Sequence, residues 1–102
     1  MSMPLRLVAL FSCMPLSTYA ETMVASHYRA KAPNIAAHRT LPIGTRLIVR
    51  NPRNGRTARV VIGDRGPFIR GRSLDISTVV AARLGFGKSG VLSLQTNVAR
   101  GR

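Results

Sequence analysis

Ala58-Arg59-Val60-Val61-Ile62-Gly63-Asp64-Arg65-Gly66-Pro67-Phe68 joins an apolar, β-branched run to a charged tip and a breaker. Val60, Val61 and Ile62 suit a pleated, half-buried surface, so the run reads as a strand heading into a core. A carboxylate, a guanidinium and a Gly-Pro turn then follow in four consecutive residues. A strand that ends on charge and then breaks is how a rigid scaffold presents a side chain at a cleft. Asp64 is one of only three acidic residues, with Glu21 and Asp75. Two local readings fit it: a carboxylate displayed for chemistry, or one that caps the turn or pairs with Arg65.

On either side the chain reads as short strands and one helix. Residues 23–28 alternate weakly and form a first strand. Residues 29–34 are polar with a proline and read as a loop, while residues 35–42 fit neither period. Residues 44–50 alternate well, with Leu47 and Val49 on one face and Arg46, Ile48 and Arg50 on the other. Asn51-Pro52-Arg53-Asn54-Gly55 closes a hairpin into the central strand, because Asn-Gly accepts positive φ. Arg70-Gly71-Arg72 is a basic turn. Residues 77–84 read as a short helix, with Asp75 or Ser77 as N-cap and Gly85 beyond its end. Residues 90–98 form a last strand, apolar at Leu92, Leu94 and Val98. Mostly β structure in so small a domain points to a closed barrel, which also removes exposed sheet edges.

The chain has 102 residues, 45% of them hydrophobic. That suffices for one small domain, and no internal repeat or low-complexity linker divides it. The net charge of +13 calls for an anionic partner: nucleic acid, phospholipid or an acidic cell-wall polymer. With no Trp, two Tyr and three Phe, few rings are at hand to stack bases, so charge alone does not select nucleic acid.

Residues 1–20 are expected to be an export signal. Arg6 supplies a basic start, and residues 7–16 are apolar but shorter than the roughly 20 needed to span a bilayer. Thr18-Tyr19-Ala20 offers a small-x-small cleavage site before Glu21, leaving 21–102 as the domain. Pro4 and Pro15 argue against a buried helix. The single cysteine, Cys13, ends Leu10-Phe11-Ser12-Cys13, a loose match to a lipoprotein box. Cleavage after Ala20 is expected instead. The mature chain then has no disulfide and no transmembrane segment, and is exported to the periplasm or cell envelope.

Few chemistries fit what is left. A metal site needs a cluster of His, Cys, Asp or Glu, and the mature chain has only two histidines, His27 and His38, and no cysteine. No G-x-S-x-G elbow and no glycine-rich phosphate loop is present, so neither a metal nor another cofactor is expected. One carboxylate with histidine and arginine nearby suits proton transfer at a polar bond. His38 by itself reads equally as a structural hydrogen-bonder, and His27, inside a strand, more so.

Ala36-Ala37-His38-Arg39-Thr40-Leu41-Pro42-Ile43-Gly44-Thr45, then Asn54-Gly55-Arg56, then Gly63-Asp64-Arg65-Gly66-Pro67-Phe68 resemble the rare lipoprotein A (RlpA) family. Arg70-Gly71-Arg72-Ser73-Leu74-Asp75-Ile76-Ser77, Ala81-Ala82-Arg83-Leu84-Gly85 and Ala25-Ser26-His27-Tyr28 extend the match over roughly residues 24 to 98. The resemblance implies a mainly β fold, a small six-stranded double-psi β-barrel like those of barwin and expansins. It implies a periplasmic lytic transglycosylase that cuts peptidoglycan glycan strands after N-acetylmuramic acid and leaves 1,6-anhydro ends. The family's catalytic acid falls on Asp64 and its companion histidine on His38. Tyr28, Arg39, Arg65 and Asp75 are expected around the substrate.

That chemistry suits the residues. Glycoside hydrolysis usually takes two carboxylates. A transglycosylase can work with one, because the sugar's own 6-hydroxyl attacks and no water need be positioned. Asp75, just before the helix, reads better as a cap than as a second carboxylate. Arg65 either holds Asp64, meets the lactyl carboxylate of the substrate or forms a salt bridge within the barrel. The chain departs from the family in filling the place of a glycine-rich insertion, which carries a Thr-Ala-x-Gly-Glu segment, with residues 29–35 alone; Arg29 stands where glycine is usual. No C-terminal sporulation-related repeat is expected either, and the basic surface is expected to take over its anchoring on anionic envelope polymers. The alternative is a non-catalytic, expansin-like wall-binding or loosening module. A monomer is expected, and specific nucleic-acid binding is not.

Overall fold

Val60 and Ile62 set the pattern: both side chains are buried, and their strand neighbours are not. The computed structural model describes residues 19–99. The expected signal segment up to residue 18, with Cys13, and residues 100–102 lie outside them. Six strands are present among the described residues: β1 (Glu21–Tyr28), β2 (Ile35–His38), β3 (Arg46–Arg50), β4 (Thr57–Asp64), β5 (Leu74–Ser77) and β6 (Val91–Val98). They close into a barrel in the order β1-β5-β2-β4-β3-β6. The pairs β1/β5 and β2/β4 are parallel; the others are antiparallel.

Period-2 alternation builds the interior. Leu47 and Val49 from β3, Leu74 and Ile76 from β5, and Leu92 and Leu94 from β6 meet Val60 and Ile62 in one buried cluster. Each such side chain contributes about 1.5–3 kcal/mol on burial. The β3–β4 hairpin forms at the expected place, with Arg46 opposite Val61 and Arg50 opposite Thr57. Gly55 takes the positive φ (+77°) that its turn demands. Thr96, 2% exposed, continues the inward row of Leu92 and Leu94, and Val98, next on that face, is exposed where β6 ends.

Two strands were not legible by period. Residues 35–38 of the ambiguous segment form β2, and Leu74–Ser77 form β5. A single short helix, α1 (Thr78–Arg83), follows β5 directly. Its N-cap is Ser77, whose Oγ accepts the Val80 amide at 3.1 Å and donates to the Pro33 carbonyl at 2.6 Å. Asp75 is therefore not a cap; it lies inside a strand. The last carbonyls of the helix region are met by the hairpin turn: Asn51 Nδ2 and Asn54 Nδ2 donate to the Leu84 carbonyl, and Arg56 Nη1 to that of Arg83. Val80, Ala81, Leu84 and Phe86 close the core on that side.

Candidate active site

Asp64 reaches its place through a bulge. Ala36 partners Ile62, yet the next residue, Ala37, partners Asp64. Gly63 is the extra residue on β4. A bulge re-aims the side chain that follows it. Without it Asp64 would continue the inward alternation of Val60 and Ile62. Glycine is demanded by the neighbour: a Cβ on Gly63 would lie 3.0 and 3.1 Å from Cδ1 and Cγ2 of Ile35.

The same row continues across the wall. Ala37 partners Asp64 on one side and Asp75 on the other, and Asp75 partners Ser26. Both carboxylates thus flank one small side chain, at roughly 10 Å between their Cα atoms by strand spacing. Ser26 Oγ donates to Asp75 Oδ1. Two residues on, and so on the same face of β1, Tyr28 donates its hydroxyl to Asp64 Oδ2 at 2.5 Å. Lys31 Nζ stands 4.0 Å from Asp64 Oδ1, a loose and exposed pairing. Oδ2 is thereby held, and Oδ1 faces an exposed cation and solvent.

The electrostatics assign donors. Burial, then the hydrogen bond to Asp64, then the charges of Asp64 and Asp75 push the Tyr28 hydroxyl far above the ordinary phenol range. Tyr28 is therefore a permanent donor and not an acid–base group. His38 Nδ1 accepts the Thr40 and Leu41 amides at 3.1 and 3.0 Å. That places the proton of the neutral ring on Nε2, free to donate. Burial first, then Arg39 and Arg65 against the opposing pull of Glu21, lower the pKa of His38 below its usual value. The two amides on Nδ1 and this shift both favour the neutral ring.

The expected residues divide into three groups. Asp64 and Tyr28 are joined directly. Asp75 lies in the same row, bound to Ser26. His38 follows Ala37 but pairs with Leu74, so strand alternation does not place it on the face of Asp64, and among the described residues no hydrogen bond links its ring to Asp64. The two arginines hold backbone. Arg65 Nη1 donates to the carbonyls of His38 and Leu41 at 3.1 and 2.6 Å, pinning the turn that carries His38. Of the pairings open to Arg65, none to Asp64 forms; the cation beside Asp64 is Lys31. Arg39 Nη1 donates to the Pro67 carbonyl at 3.3 Å and steadies the loop after Asp64. Ser26 and Lys31 join the expected residues through the fold. Strand parity with Tyr28 marks Ser26; nothing local marks Lys31. His27 takes no part, its ring lying edge-on to Phe86 at 5.7 Å. Among the described residues no group of three His, Cys, Asp or Glu is gathered for a metal.

A cavity of about 210 Å³ opens elsewhere, where β1 begins and β6 ends, between Glu21, Met23, Leu41, Leu47 and Val98. It shares no residue with the Asp64 row and has no pair of polar side chains bonded to one another. The Asp64 row lies on the wall of the barrel, and none of its residues lines this recess.

Solved structures identify the class. Cerato-platanin 3 from M. perniciosa superposes with a TM-score of 0.62 at 13% identity, over 78% of this chain and 95% of that one. The expansin of Clavibacter michiganensis gives 0.65 at 21% identity, over 80% of this chain and 52% of that one. The fold is that of the double-psi β-barrel proteins, as these neighbours and the six-strand closure show. A family model described as lytic transglycolase matches residues 16–96, and the chain belongs to that family. A protein of Nostoc sp. named a probable endolytic peptidoglycan transglycosylase RlpA is 56% identical over 63 residues, covering 62% of this chain and 17% of its own length. One of Aquifex aeolicus with the same name is 49% identical over 65 residues, covering 64% and 29%. The chain spans less than a third of the length of these relatives.

Proposed function

We propose that this barrel is a lytic transglycosylase of peptidoglycan, exported to the periplasm, with Asp64 as its acid–base group. The observation that carries the reading is the Gly63 bulge, which turns a carboxylate outward and leaves one of its oxygens held by Tyr28 and the other open. Names of relatives at 56% and 49% identity support the substrate class. The signal-like segment of residues 1–20 supports export.

The reaction uses no water. The carboxyl of Asp64 protonates the leaving glycosidic oxygen as its bond to C1 breaks. The 6-hydroxyl, on the exocyclic carbon of the same muramyl sugar, attacks C1 across the ring and forms the 1,6-anhydro bond. The Asp64 carboxylate takes the hydroxyl proton and is restored. One group thus serves as acid and then base. The intramolecular nucleophile avoids much of the entropy cost of bringing two molecules together. Tyr28 orients the carboxylate. Nε2–H of His38 is a donor for a sugar oxygen, and Lys31 is a partner for the lactyl carboxylate.

Product analysis tests it. Glycan strands digested by the full chain should release 1,6-anhydro ends, and Asp64→Asn should release none while staying folded, a loss of roughly 10²–10⁴-fold. Reducing ends instead would mean hydrolysis, with Asp75 activating water. Pelleting with the wall without any product would mean a binding module.

A further inference from the structure

The flank of the barrel away from the Asp64 row has its own composition. Alternation turns Arg46 and Arg50 of β3 outward, since Leu47 and Val49 point in. Arg59 of β4 also points out and stands opposite Ile48, midway between them. Strand spacing puts Arg46 and Arg50 about 13 Å apart along β3, with Arg59 about 5 Å to the side. On the other side of β3, β6 sets Gln95 opposite Arg50 and Asn97 opposite Ile48. Arg50 Nη1 donates to Gln95 Oε1 at 2.7 Å. Among the described residues none of these three arginines meets a carboxylate. Of the chain's three acids, Asp64 and Asp75 belong to the row already described and Glu21 opens β1.

We propose that this β4-β3-β6 face is a second binding surface, for the carboxylates of a peptidoglycan strand other than the one at Asp64. The inference rests on the substrate class proposed above. Three spaced guanidiniums along one wall of the barrel match the carboxylates recurring along an extended polymer, and Arg pairs with such groups bidentately. Asn97 adds an amide for acetamido and hydroxyl groups. The composition disfavours the other anionic partners. None of the three strands carries an aromatic residue, so bases find nothing to stack on. The apolar side chains among the arginines, Ile48 and Val61, are partly buried, and the exposed Val91 and Val98 stand apart at the two ends of β6, so no apolar cluster is offered to a lipid interface. Binding one strand on this face while Asp64 works on another would hold the domain on an insoluble meshwork between cuts.

Co-sedimentation of the full chain with insoluble peptidoglycan tests this, comparing wild type with the double variant R46Q/R59Q. Both side chains are exposed and neither takes part in the described hydrogen bonds, so the fold is expected to survive. Arg50 is left in place because it holds Gln95. The variant should bind roughly five- to tenfold more weakly at physiological salt. Its release of anhydro ends from short soluble glycan should be unchanged. Wild type should bind peptidoglycan whose carboxylates have been amidated as weakly as the variant binds the native polymer. Equal binding by the two proteins, or no effect of amidation, overturns the proposal. So does stronger retention of wild type on phosphatidylglycerol vesicles or duplex DNA than on peptidoglycan. Arginine-dependent binding without anhydro ends would sink the enzymatic reading and leave this face standing.

Discussion

The Tyr28 hydroxyl donates to Asp64 Oδ2 at 2.5 Å, although β5 and β2 lie between their strands in the barrel order. Thirty-six residues of chain separate the pair. One end of β1 thus holds the functional end of β4, and only barrel closure brings them together. The first expected outcome concerns this bond. Tyr28→Phe keeps the ring and removes the donor. A hydrogen bond to a charged group contributes about 1.5–3 kcal/mol. The variant should lose roughly tenfold or more in kcat, with KM little changed, because the hydroxyl orients Asp64. Steady-state kinetics on soluble glycan decide it, and a change confined to KM would make Tyr28 a substrate contact instead.

Asp75 separates one-carboxylate from two-carboxylate chemistry. Asp75→Asn leaves an oxygen to accept from Ser26 but no charge. The cost should be about 1 kcal/mol, the difference between a charged and a neutral acceptor. Anhydro-end release should persist. If it disappears while circular dichroism and melting stay normal, Asp75 shares the proton work.

His38 imposes a pH dependence on stability. Its pKa is lowered in the folded state, so the unfolded chain takes up a proton more readily. The contribution is present above the ordinary value of about 6.5 and is lost as pH falls through the folded value. His38→Asn keeps an acceptor for the Thr40 and Leu41 amides but cannot titrate. Thermal melts from about pH 7.5 to 5 should show wild type losing ground against the variant as pH falls. A constant difference across that window would refute the assignment.

Gly63 tests the bulge. Gly63→Ala brings a methyl to 3.0 Å from Ile35 Cδ1. Overpacking of this kind costs about 1–3 kcal/mol and should also displace Asp64 and lower activity. Ile35→Val removes the nearer atom. In a double-mutant cycle the pair should show a favourable coupling of about 0.5 kcal/mol or more. Strict additivity in urea unfolding would mean that Ile35 is not what excludes the side chain.

Much of this was legible in the residues. Alternation of Leu47 and Val49 marked β3, and Asn54-Gly55 marked the hairpin, because period and turn chemistry are local properties. The β-branched run into Asp64 marked β4 and put its carboxylate at a strand end. The ordered motifs around His38 and Asp64 marked the family. Short elements were harder. Leu74–Ser77 offers four residues, too few to show a period, and the helix that follows made Asp75 look like a cap. The two arginines expected around the substrate, Arg39 and Arg65, hold carbonyls of loops that no local pattern brings near them.

The sequence by itself determined the strands with a clear period, the helix, the sign of the surface charge and the acid that ends β4. Those follow from side-chain spacing and composition, which act within a few residues. The tertiary structure alone decided that Ala37 stands between Asp64 and Asp75, that Tyr28 and not Arg65 holds Asp64, and that three arginines share a face free of acids. These follow from register and closure. A one-residue bulge at Gly63 reverses which way Asp64 points, and the strand order places β1 within reach of β4.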